Sequence, residues 1–215
     1  MFTIRPLKQT FILLFVLAIL LALLSAYKKN QTTLSEIRQA RPTANLTVAL
    51  PDDYAFRQDD PRWGADKLGT TNDSLSQYGC TLTSVAIAAS NLLKTEISPG
   101  EMNTRLTNAK GYTDSGWLIW RRVGTVTNGK LRAAMSTAPS HAAITGCMQE
   151  GGYPIIKIDR DQRINHWVVI VGKSEDDYYI RDPRVGNAHD AAIPLSSRSR
   201  HIYAVRCVSL NTDRP

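Results

Sequence analysis

The chain has 215 residues, a formal net charge of +7 and 43% hydrophobic residues. This composition excludes a fully disordered chain and a polytopic membrane protein, and it allows one domain with a core of ordinary size. No run of five or more Lys and Arg residues occurs, so the basic charge does not indicate a nucleic-acid groove, and we expect no nucleic-acid partner.

An uncharged apolar segment extends from Phe11 to Ala26. It is short for a membrane span, which usually needs about 20 residues, and slightly long for the apolar region of a signal peptide. Leu24 occupies a position where a signal peptidase prefers a small residue. Residues 1–27 are therefore interpreted as an N-terminal membrane anchor or a cleaved signal peptide. Both interpretations place the remaining chain in the cell envelope, outside the inner membrane, or make it a secreted protein.

The polar segment 28–45 is typical of a linker, and residues 46–210 are predicted to form one globular domain. The alternation in Leu46–Pro51 indicates a short strand. A helix is predicted to begin at Cys80, because the following apolar residues recur at helical spacing. Ser98 and Glu101 form a capping-box pattern, which predicts a second helix over Pro99–Asn108.

The second half of the domain is rich in strand patterns. Residues 116–123 are compatible with a strand or a short helix, and residues 142–150 are predicted to be helical. Strands are predicted over residues 153–159, 166–172, 177–183 and 201–210. Helices in the first half and strands in the second predict an α+β fold rather than alternating βαβ units.

Three cysteines are too few for a disulfide scaffold, and their spacing does not predict a zinc site or another metal site. Whether Cys147 and Cys207 pair with each other is left open. Cys80 differs from both because it opens a predicted helix, where main-chain N–H groups stabilise a thiolate. The sequence predicts Cys80 as a nucleophile, with a small buried core residue as the alternative.

His166 and Asp182 lie on two consecutive predicted strands. A hairpin centred on Ser174 pairs Val168 with Ile180 and places His166 directly opposite Asp182. Directly opposed side chains lie close enough for a carboxylate to accept the imidazole N–H. Taken singly, His166 is also compatible with a strand-end histidine, and Asp182 with the opening residue of an Asp-Pro turn.

Five segments in this order resemble the C39-like branch of the papain-like cysteine peptidases: Gln58–Gly64, Tyr78–Ser84, Gly111–Thr113, Asn165–Gly172 and Arg181–Pro183. The resemblance implies an α+β papain-like fold, in which a helical part carrying the nucleophile packs on an antiparallel sheet. It implies a peptide or protein substrate and no cofactor. It assigns Cys80 as nucleophile, His166 as general base, Asp182 as its orienting residue and Gln58 as an oxyanion donor. Gln77 is the second candidate for that last role.

The sequence departs from the family pattern directly after the nucleophile. Family members commonly have Gly-Pro there, whereas this chain has Thr81-Leu82 before the shared Thr83-Ser84. Thr81 is expected to narrow the substrate cleft. The leading hypothesis is an exported or membrane-tethered thiol hydrolase that cleaves a peptide or amide bond through a Cys80 acyl-enzyme. The alternatives are a catalytically inactive binding module and an acyltransferase on the same scaffold.

Overall fold

A computed structural model describes residues 16–26, 47–136, 138–160, 163–186 and 190–212, and the chain divides into two compact units, residues 1–36 and 37–215. In the first unit, residues 16–26 form helix α1 and expose their apolar side chains. Within the described ranges, no helix is both long enough and apolar enough to cross a membrane. Residues 1–15 and 27 of the predicted anchor or signal, and the whole predicted linker 28–45, lie outside the described residues.

The helices of the second unit are α2 (Leu75–Tyr78), α3 (Cys80–Leu93), α4 (Pro99–Asn108), α5 (Arg122–Val126) and α6 (His141–Gln149). The helix predicted from Cys80 is confirmed as α3. The capping-box prediction is confirmed at α4, where the Ser98 hydroxyl accepts the Glu101 main-chain N–H. Helix α6 begins one residue before the predicted segment, with Ser140 as its side-chain cap.

The strands are β1 (Val48–Ala49), β2 (Leu131–Met135), β3 (Tyr153–Arg160), β4 (Arg163–Lys173), β5 (Tyr178–Arg181), β6 (Ile193–Pro194) and β7 (Ile202–Leu210). They form one antiparallel sheet in the order β2-β7-β3-β4-β5-β6, with β1 also paired to β4. The sequence reasoning missed β2 and β6. It left residues 116–123 open between strand and helix, and only the last two of them belong to α5. The fold is α+β, as expected.

The central strand β4 is buried on both faces. Val169 and Val171 belong to the core that includes α3, whereas Val168 and Ile170 belong to a second core that includes residues of α6. Successive side chains of a strand point to opposite faces, and a sheet covered on both faces selects a continuous apolar run. This is why the segment after His166 has no polar alternation.

The predicted register of the β4–β5 hairpin is wrong by two residues. Ile180 pairs with Ile170 rather than with Val168, and the connecting turn covers Ser174–Asp177 instead of centring on Ser174. A pairing irregularity between Ile170 and Gly172 accompanies this difference. Because side chains alternate with a period of two, a shift of two residues leaves every side chain on its predicted face. His166 and Asp182 are therefore not directly opposed, although they still meet.

Cys147 in α6 and Cys207 in β7 form a disulfide, with their Cα atoms 5.7 Å apart. The bond joins a helix to the strand next to β3 in the sheet. It decides the pairing that the sequence left open, and it leaves Cys80 as the free cysteine of the chain.

Candidate active site

Cys80 is the first residue of α3, and one residue separates it from the end of α2. Gly79 separates the two helices, and a Cβ atom there would lie 2.5 Å from the carbonyl oxygen of Leu75, so only glycine allows this tight junction. Gly79 has no side chain with which to cap α3, and the N–H groups of a first helical turn lack partners within the helix. The positive end of the α3 dipole therefore lies at Cys80, the first residue of the helix.

His166 and Asp182 form a buried hydrogen-bonded pair. The distance from His166 Nε2 to Asp182 Oδ1 is 2.6 Å, and the two side chains are 6% and 0% exposed. Asp182 Oδ1 also accepts the Arg184 main-chain N–H, while Oδ2 lies 3.4 Å from Arg198 Nε. Donation of Nε2–H to the carboxylate fixes the ring orientation and leaves Nδ1 of the imidazole to face other groups.

Cys80 and His166 each change the pKa of the other. Burial alone would raise the pKa of Cys80, but its hydrogen bond with His166 and the charge of that ring outweigh burial, so the thiol pKa lies below its ordinary value. Burial would likewise lower the pKa of His166, but hydrogen bonds with Asp182 and Cys80 raise it to about 9. This arrangement favours a thiolate–imidazolium pair near neutral pH.

The Asp182 carboxylate stays ionised in this buried position. Burial would raise its pKa, but the hydrogen bond and charge of His166, together with the Arg184 N–H and the Arg198 guanidinium, lower it below the ordinary value. A buried carboxylate of this kind stabilises positive charge on the ring beside it.

Gln58 is fully buried and braces two segments of the site. Its main-chain N–H donates to Pro183, directly after Asp182, and its Nε2 donates to the carbonyls of Leu75 and Ser76, shortly before Cys80. Both hydrogens of the amide are therefore in use. The oxyanion-donor role of Gln58 stays a prediction, and it requires Gln58 to exchange one of these carbonyls for the substrate.

Gln77, the second candidate for that role, is exposed. Its side-chain oxygen accepts a hydrogen bond from Ser74 at 3.2 Å, and its carbonyl accepts one from Arg184. These contacts place Gln77 on the outer side of α2 and tie it to the segment that follows Asp182.

Thr81 occupies the position of the family glycine and lines the cleft beside Cys80, where it was expected to narrow the space. Its side chain also forms a hydrogen bond with Cys80, which helps to lower the thiol pKa after the larger contribution of His166. Sequence reasoning missed this second role. A hydroxyl residue next to a helix-opening cysteine is the signal that would have indicated it.

Comparisons with known proteins found little similarity in sequence and a low similarity in structure. No family model matches the chain, and no curated protein sequence matches it. A crystal structure from Bacillus anthracis, provisionally described as a C39-like peptidase, is 13% identical with a TM-score of 0.49, and the match covers 80% of this chain and 100% of that chain. A similarity of this size carries no argument about the activity of this chain, so the case for the site depends on its own geometry.

An apolar cleft of about 150 Å³ opens beside Cys80. Its walls come from the segment before α2, from α2 itself and from the loop that precedes α5: Leu68, Asp73, Tyr78, Tyr112, Gly116 and Trp117. Tyr78 is 60% exposed and Trp117 is 55% exposed. Cys80, itself buried, contributes to the wall of this cleft.

Trp167, directly after His166, packs against Trp120 with the ring centres 5.3 Å apart. The Arg206 guanidinium lies over both rings, 5.7 Å from the centre of Trp167. Trp167 is buried in this stack. Among the described residues, no group of three or more His, Cys, Asp or Glu is placed to hold a metal ion.

Proposed function

We propose that this chain is a thiol hydrolase that cleaves a peptide or amide bond through an acyl-enzyme on Cys80. The observation that carries the proposal is the position of His166, which joins a helix-opening thiol on one side to a buried carboxylate, Asp182, on the other. This is the arrangement of nucleophile, base and orienting residue that covalent hydrolysis requires. The resemblance to the C39-like peptidases agrees with the proposal.

In the first step, the Cys80 thiolate attacks the carbonyl carbon of the substrate. A C–S bond forms and a tetrahedral oxyanion develops, which N–H groups of the first turn of α3 stabilise in this proposal. The oxyanion then collapses and the C–N bond breaks. His166 transfers its proton from Nδ1 to the leaving amine, so the amine departs neutral.

In the second step, His166 accepts a proton from water while the water oxygen attacks the thioester carbonyl. The C–S bond breaks, a carboxylic acid is released and the thiolate–imidazolium pair is restored. Asp182 keeps its hydrogen bond to Nε2 in both steps, which holds one ring orientation and stabilises the imidazolium. An amine in place of water gives acyl transfer with the same residues.

A binding module without turnover is the second candidate. It is favoured by the contacts of Gln58, whose amide hydrogens are both engaged by main-chain carbonyls. Such a module has no need of a reactive thiol, so the reactivity of Cys80 distinguishes the two proposals.

We also propose that the domain works outside the cytoplasm, attached to the membrane or secreted through its N-terminal apolar segment. The Cys147–Cys207 disulfide supports this location, because disulfides form and persist in oxidising compartments. Fractionation of cells that express the whole chain tests the location, and recovery from the cytosol would contradict it.

The experiment that tests the proposed function combines labelling with turnover. Iodoacetamide is expected to label Cys80 at pH 6, where an ordinary thiol reacts slowly, and Cys147 and Cys207 are protected by their disulfide. Labelling and hydrolysis of an envelope-peptide extract should both disappear in Cys80→Ala. Cys80→Ser is the matched control, because serine removes the thiol while nearly preserving the volume of the cysteine side chain. Labelling at the rate of an ordinary thiol, with no hydrolysis, selects the binding module.

A further inference from the structure

The cleft beside Cys80 combines exposed aromatic side chains with Cys80 itself in its lining. Tyr78 lies two residues before Cys80, and Trp117 lies on the opposite segment of the wall. Both are more than half exposed, although large aromatic residues are usually buried in a folded domain. Exposed aromatic residues around a concave surface are typical of a binding site.

The wall that carries Trp117 is held in one conformation by local hydrogen bonds. Thr113 and Trp117 are joined main chain to main chain at 2.9 Å, and the Tyr112 hydroxyl donates to Asn103 Oδ1 at 2.9 Å. Gly116 has a φ of +76°, and a Cβ atom there would lie 3.1 Å from Thr71. The cleft is therefore preformed, and a ligand does not have to order its walls.

Asp73 is the charged residue among those that line the cleft. Its main chain is fixed by hydrogen bonds with Leu68 and Thr71, which hold it at the rim. Lys67, on the same segment, directs its ammonium group to Asn72 at 3.2 Å. Within the described part of the chain, the Asp73 carboxylate takes part in no ion pair, so its charge is available to a ligand.

We propose that this cleft binds a long cationic side chain, of the Lys or Arg kind, on the residue next to the bond that Cys80 attacks. The inference rests on the proposed function for the position of that bond. Aromatic faces attract cations and pack along an aliphatic stem, and the Asp73 carboxylate is complementary to the charged end. The net charge of the chain is +7, so this preference arises from the cleft and opposes the overall field of the protein.

The test measures binding separately from catalysis. In the full chain carrying Cys80→Ala, fluorescence anisotropy compares a labelled alanine hexapeptide that contains one Lys with the same peptide containing norleucine. The Lys peptide should bind about fivefold more tightly at low salt, and the difference should shrink at high salt. Asp73→Asn should remove the difference, and Trp117→Ala should weaken binding of both peptides.

Asp114→Asn is the matched control, because it removes the same charge from the loop that carries Trp117 without changing a residue that lines the cleft. It should leave the Lys preference within about twofold. Equal binding of the two peptides, or the same loss in both Asp variants, overturns the inference. If Asp73→Asn melts at a lower temperature, the salt dependence of the parent chain decides instead, and a Lys preference unchanged by salt overturns the inference.

The outcomes separate this inference from the proposed function. Binding with a Lys preference but without hydrolysis by the unmodified chain contradicts the proposed function and supports the cleft assignment. Hydrolysis by the unmodified chain without any Lys preference in binding supports the proposed function and contradicts the cleft assignment.

Discussion

The two halves of the candidate site are held in different ways. On the sheet side, His166 and Asp182 are almost completely buried and each makes several hydrogen bonds or charge contacts. On the cleft side, Tyr78 and Trp117 expose more than half of their surface. The two halves meet different requirements, because proton transfer needs fixed and desolvated groups, whereas substrate binding needs accessible ones.

His166→Ala should have the largest effect on the sheet side. Without its base, Cys80 returns toward an ordinary thiol, and we expect hydrolysis to fall by about 10²–10⁴-fold, as measured by peptide turnover. The matched control is His201→Ala, which breaks a second His–Asp pair: His201 directly precedes β7, and its partner Asp159, at 3.5 Å, lies on β3. An equal loss in both variants would indicate damage to the sheet rather than loss of the base.

Asp182→Asn should have a smaller effect than loss of His166. Asparagine still accepts the Nε2–H through its carbonyl oxygen, but it offers no negative charge to the imidazolium. We expect a loss of about 10–100-fold in kcat/KM, less than the ~10⁴-fold loss known for the Asp of serine triads. The pKa of His166 should fall together with activity, which NMR titration of the ring measures, and an unchanged pKa would falsify the orienting role.

The pH dependence separates thiol reactivity from turnover. The pKa of His166 is raised to about 9, so its interactions stabilise the fold below its ordinary pKa of about 6.5, and this stabilisation is lost as the pH rises through 9. Turnover should fall above that pH because the leaving amine loses its proton donor. Alkylation of Cys80 should not fall there, since the thiolate persists. Parallel declines of both rates would contradict the assignment of His166 as the acid.

Thr81→Val should have the smallest effect of these changes. Thr81 belongs to both halves of the site, because it lines the cleft and also affects the pKa of Cys80. Valine has nearly the same shape as threonine but lacks the hydroxyl that helps to lower the Cys80 pKa. We expect alkylation at pH 6 to slow by about two- to fivefold, as expected for one lost hydrogen bond of this kind. Thr81→Ser restores a hydroxyl and should recover the rate, whereas failure to recover would assign Thr81 to cleft shape alone.

Much of the fold follows from local patterns in the chain. Cys80 begins a helix because the apolar spacing begins there, and Ser98 caps α4 through a hydrogen bond within four residues. Strand β2 was not predicted. Leu131 is the buried hydrophobic residue of this short segment, so the sequence shows little alternation of apolar and polar residues there. Its pairing with β7 joins residues more than 70 positions apart in sequence.

The candidate site likewise combines features that local patterns predicted with features that they did not. The chain order of Cys80, His166 and Asp182 was readable because Cys80 opens a helix, His166 precedes the apolar run of β4 and Asp182 directly follows β5. The hairpin register was wrong, and the contact survived because the error was a multiple of the strand period. The contacts of Gln58 were not predictable, because Leu75 and Ser76 lie 17 and 18 residues away along a loop without regular structure.

The sequence by itself determined the α+β class, the helix that opens at Cys80 and the residue types available for covalent chemistry, since periodicity and capping act over a few neighbouring residues. Only the tertiary structure decided that Cys147 pairs with Cys207, that Gln58 braces the site and that Asp73 lines the cleft. Those facts depend on which distant segments pack together. Burial and hydrogen-bond satisfaction across the whole domain select that packing, and a local pattern contains no information about either.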